Sequence, residues 1–154
     1  MKSYFERTGF LSHRPRFFDK YAMPIAVCGM FGADNANEYM GGIANTYGFN
    51  MAPSLELTFS TQSEKEKKKN HDNTIKAMNT FISKINTGER DPPITRQIVN
   101  FQIFKSVSEL YPDHFVADYA FYKDLTDYYY DADINFIKMM MIKRTVETMM
   151  NKID

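Results

Sequence analysis

The sequence predicts an α/β unit followed by a helical extension, and three observations carry that reading. The run "YAMPIAVCGM" is almost wholly apolar and is bounded by a basic loop and a glycine turn, which suits a strand. A second strand pattern, "PSLELTFS", follows one helix later, and strand patterns stop after "TGERDPP". Strand, helix, strand, helix in that order implies a right-handed parallel crossover.

"SYFERT" reads as the last turns of a helix that stops at Gly9, a residue suited to a left-handed cap. "LSHRPRFFDKY", broken by Pro15, is a connecting loop. The first strand spans about residues 22–30. Ile25, Val27 and Cys28 leave it no polar alternation, so it is expected to be covered on both faces. Asp34 or Asn35 is positioned to cap a helix running to about Tyr47.

In the second strand Leu55, Leu57 and Phe59 alternate with Ser54, Glu56 and Thr58, the pattern of a half-covered edge strand that tolerates Pro53 at its start. Thr61 and Glu64 have the spacing of a capping box before a long helix whose inward stripe is Ile75, Met78, Phe81, Ile82 and Ile85. Lys65, Lys67, Lys68 and Lys69 are interspersed with Glu64 and Glu66 and read as a solvated face.

Past the boundary near Arg90 to Pro93, Ile94, Ile98, Phe101, Phe104 and Val107 recur at helical spacing up to Pro112. Ile134, Ile137, Met141, Val146, Met149 and Ile153 predict a last helix, with an irregular Tyr-rich stretch between the two. Asp118, Tyr119 and Tyr128 to Tyr130 are expected to fasten this tail onto the α/β half. The domain division is thus 1–88 and 89–154.

Composition narrows the function classes. Nineteen basic and nineteen acidic residues cancel, which argues against nucleic acid or an anionic membrane as partner. The one cysteine, Cys28, leaves no internal disulfide and too few thiols for a structural zinc or an iron–sulfur cluster. Within the strand it reads as an inert buried thiol. His13, His71 and His114 lack metal-ligand spacing, and no apolar run reaches the roughly twenty residues that span a bilayer. A cytoplasmic, reducing location is expected.

The run "MKSYFERTGFLSHRPRFFDKYAMPIAVCGMFGADNANEYM", and within it "FERTG" and "HRPRFFDKYA", resembles the middle of the flavodoxin-like FMN-dependent NAD(P)H oxidoreductases. The tail "FQIFKSVSELYPDHFVADYAFYKDLTDYYYDADINFIK" is similar to the C-terminal extension of one subgroup of that family. The resemblance implies a partial flavodoxin-like parallel sheet, its last two strands, with a helical extension. The phosphate loop and first strands of that family have no counterpart upstream of Met1. The expectation is therefore a portion of a larger sheet, dependent on a partner half or a second copy.

Doubly wound sheets bind ligands beyond the carboxyl ends of their strands. "CGMFGAD" stands at such an end, which makes Gly29, Met30, Phe31, Gly32 and Asp34 the candidate FMN-binding residues. Gly29 and Gly32 permit close backbone approach, the helix start around Asp34 favours an electron-rich edge, and Met30 and Phe31 can pack beside a ring. Arg14 and Arg16 could steer a phosphate. The alternative is a non-catalytic module, derived from the same fold, that joins copies through an exposed sheet edge and a Met-rich helix.

Overall fold

The computed structural model describes residues 2–59 and 63–152. The chain forms two units, Met1–Asp91 and Pro92–Asp154, the first mixed α/β and the second helical.

In the α/β unit, helix α1 (Lys2–Arg7) is followed by a 3-10 turn, Gly9–Ser12. Gly9 opens that turn and has no positive φ, so it is not the left-handed cap expected of it. Thr8 closes α1 instead, bonding back to the Tyr4 carbonyl through its amide and its hydroxyl.

The expected strand is present but interrupted. It forms β1 (Tyr21–Ala22) and β2 (Ile25–Cys28), which pair in parallel with β3 (Asn50–Met51) and β4 (Leu55–Thr58) respectively. Pro24 and Pro53 both fall in the gap, and neither has an N–H to offer a ladder. Tyr21 stands opposite Asn50, an offset of 29, whereas Ile25 stands opposite Leu55, an offset of 30. The segment carrying β3 and β4 thus has one extra residue between its two strands, a bulge in a parallel pair.

Helix α2 (Ala33–Thr46) makes the crossover, and Gly32, at φ 96°, precedes it. No side chain caps it, so neither Asp34 nor Asn35 plays the capping role expected; Asp34 lies in the first turn. Helix α3 (Glu64–Thr87) ends on Gly88 in the left-handed conformation, and its capping box is formed by Ser63 and Glu66. Thr61, expected to make that box, lies outside the described residues.

Cover on β2 is one-sided, against expectation. Ala26 is buried and α2 packs on β2, but Ile25 is 47% and Val27 62% exposed on the opposite face. The reason is that β2 has β4 alone as neighbour among the described residues, and α3 lies against β4 and β1.

The stripe on α3 is likewise displaced. Its partly buried positions are Asn70, Thr74, Ala77, Phe81 and Lys84, spaced alternately four and three residues. Ile75, Met78, Ile82 and Ile85 lie on the adjoining flank and are exposed. Asn70 sits inward because its amide donates to the Thr58 carbonyl, and Lys84 because its ammonium donates to the Met51 carbonyl and pairs with Asp91.

The helical unit comprises α4 (Thr95–Leu110), α5 (Val116–Tyr122) and α6 (Phe136–Met150), with α5 lying inside the stretch read as irregular. Ile98 and Phe101 of α4 pack with Tyr122, Tyr128, Met139, Ile142 and Val146. The buried face of α6 is Met139, Ile142 and Val146, so of the expected stripe only Val146 belongs to it; Ile137, Met141 and Met149 are exposed. Ile153 lies outside the described residues. Within this unit Tyr128 and Tyr129 pack on Phe101, and Tyr130 on Tyr128.

Candidate functional site

The local sequence builds the turn after β2 in three steps. β2 ends at Cys28, whose carbonyl accepts the Phe59 amide, so the chain leaves the sheet there. Gly29 to Gly32 then turn it, and Gly32 adopts a positive φ that any Cβ would strain. Ala33, buried, starts α2 with its first amides directed back at the turn.

Among the candidate residues, Met30 is 72% and Phe31 86% exposed, and Gly29 and Asp34 are also exposed. A Cβ added at Gly29 or Gly32 would meet no atom within 4 Å. The five residues therefore form one open, convex turn with apolar side chains on display. A groove of about 610 Å³ between β4 and α3 is lined by none of them.

The fit to FMN divides. Two glycines, exposed apolar side chains and an uncapped helix start suit the edge of a flat ring. The phosphate finds no seat here: the turn holds no cation or hydroxyl, and the Asp34 carboxylate stands in the helix turn where a phosphate would otherwise be favoured. Arg14 lies over the Phe10 ring, 5.8 Å from its centroid, and the Arg16 amide bonds the Tyr47 carbonyl. Both belong to the loop before β1 rather than to the turn after β2.

The remaining candidates are dispersed. His13, His71 and His114 are exposed on separate segments, and no group of metal-ligating side chains occurs among the described residues. Cys28 is half-buried rather than fully buried, 3.6 Å from the Thr58 hydroxyl. Compared with known protein families, curated proteins and solved structures, the chain matches none.

Two features escaped the sequence reading. Asn37 of α2 is only 3% exposed; its Nδ2 donates to the Leu55 carbonyl at 3.0 Å, while its Oδ1 is buried without a partner among the described residues. Its signal is the four-residue step from Ala33, which places both on the inward face. The second is the phenol pair in the helical unit. The Tyr122 and Tyr129 hydroxyls lie 3.1 Å apart, and the Tyr128 and Tyr129 phenols are driven well above the usual tyrosine range, chiefly by burial and then by neighbouring phenols.

Proposed function

We propose that the chain belongs to a flavodoxin-like FMN-dependent NAD(P)H oxidoreductase or electron-transfer protein, and that the Gly29–Asp34 turn meets the edge of the flavin ring. The observation that supports this best is a parallel crossover whose first strand ends in two uncrowded glycines followed by a helix start. FMN, when bound, supplies the hydride and electron chemistry. The chain's own contribution is to hold the ring edge against backbone at Gly29 and Gly32 and to shield it with Met30 and Phe31. Phosphate contacts and further strands come from a complementing half or a second copy beyond β2.

A flavin titration followed by fluorescence quenching tests this. Because the turn suits the ring and not the phosphate, riboflavin is expected to bind the isolated chain as well as FMN does, and Phe31→Ala to weaken both. Absence of saturable quenching with either flavin overturns the reading.

A second reading is a non-catalytic module that joins copies. It is favoured by the exposure of Ile25 and Val27 on a strand with one edge unpaired among the described residues.

A further inference from the structure

We infer that the open edge of β2 pairs with the same edge of a second copy, antiparallel about a two-fold axis at Ala26. The inference rests on the second reading above and specifies its interface.

Ladder geometry selects a strand as the occupant. The Leu55 amide donates to the Pro24 carbonyl and the Phe59 amide to the Cys28 carbonyl, so even-numbered residues of this segment face β4. By the alternation of a β-ladder, the N–H and C=O of Ile25 and Val27 point to the other edge, where no strand pairs with them among the described residues.

Symmetry then makes β2 complementary to itself. With Ala26 opposite Ala26 of the second copy, Ile25 stands opposite Val27, and these are the residues whose backbone groups are free to exchange bonds. The close, non-bonded position at the axis, where Cα atoms approach to about 4.5 Å, falls on the small alanine. The two uncovered side chains of each copy come together on one face.

The flank of α3 lies above that face. Leu55 shares the face of Ile25 and is buried, and the helices against β4 are α2, which covers the Ala26 face, and α3. The groove beside α3 is lined by Lys69, Asn73, Lys76 and Thr80 with residues 53–56 and Thr58, and by none of β2. Ile75, Ile82 and Ile85 are on the other flank of the helix, toward β2. In a two-fold sheet both α3 helices stand on one face, over strands three spacings apart, roughly 14 Å. Packed helices lie about 8–10 Å apart, so each leans inward by only about 2–3 Å to close its isoleucines over the Ile25 and Val27 floor.

Charge does not oppose the pairing. The nineteen acidic and nineteen basic residues of each copy leave no net repulsion.

Sedimentation velocity and amide exchange on the full chain test the arrangement. The expected particle has twice the 18.0 kDa chain mass, and the Ile25 and Val27 amides exchange about tenfold more slowly above the dissociation constant than below it. Val27→Lys, with its far-UV circular dichroism retained, is expected to be monomeric. If that variant fails to fold, exchange in the unaltered chain decides alone. A dimer whose Ile25 and Val27 amides stay unprotected overturns this interface while leaving self-association standing. A monomer at every concentration overturns both.

Discussion

The amide of Asp91 donates to Oδ1 of Asn50 at 2.8 Å, tying the last residue of the α/β unit to the first residue of β3. The same Asn50 donates through Nδ2 to the Phe18 and Lys20 carbonyls, and the Asp91 carboxylate returns the favour by accepting the Met51 amide at 2.7 Å. One buried side chain therefore closes three backbone groups.

Asn50→Ala removes the side-chain bonds to the Asp91 amide and to the Phe18 and Lys20 carbonyls, of which the Lys20 carbonyl keeps the Asn50 amide. Each unsatisfied buried group costs about 1–3 kcal/mol, so a loss of about 3 kcal/mol is expected in urea unfolding of the α/β unit. A change under 1 kcal/mol would mean that water replaces the amide.

Gly48 has φ 99°, and a Cβ there would stand 2.8 Å from the Phe18 ring. Gly48→Ala should lower stability by about 1–3 kcal/mol from backbone strain, with the ring contact adding to it. Gly9→Ala, with open space and no positive φ, is expected to leave the melting temperature unchanged or raise it.

In the helical unit Ile98 is fully buried and Met141 is exposed. Ile98→Ala should cost about 2–5 kcal/mol through lost packing and a residual cavity, and Met141→Ala less than about 0.5 kcal/mol. Equal effects in thermal unfolding would contradict the assigned faces of these helices.

Tyr128 and Tyr129 titrate above their unfolded value of about 10, because burial disfavours the phenolate. The unfolded chain releases these protons first as pH rises. Their contribution is thus complete below pH about 10 and declines above it, by about 1.4 kcal/mol per pH unit for each group. Alkaline unfolding followed by near-ultraviolet circular dichroism should steepen there, and tyrosinate absorbance should show these phenols ionising together with unfolding. Ionisation of all ten tyrosines before unfolding would refute this.

The crossover was legible because an eight-residue apolar run, 21–28, bounded by Lys20 and Gly29, and the alternation of Leu55, Glu56, Leu57 and Thr58, are both local patterns. What stayed hidden depends on contacts distant in sequence. Ile25 and Val27 carry the composition of a doubly covered strand, but cover is set by which neighbours a strand has. On α3 the apolar residues mark one flank, yet Asn70 and Lys84 turn the helix by bonding to strand carbonyls. On α6 three methionines stand in a row at 139–141, so periodicity could not choose between Met139 and Met141. The glycine turn was located by its residues. Its openness is a matter of what fails to pack against it.

The extra residue between Met51 and Leu55 bears on evolution of the chain's length. Deleting one residue there would set Glu56 against Ile25 and Leu57 against Ala26, exchanging the sides on which grease and charge emerge along the last strand. Substitutions at exposed Pro53 or Ser54 can be absorbed one at a time, but an indel would invert everything downstream to Thr58. This short segment works as a reading frame written in backbone rather than in codons.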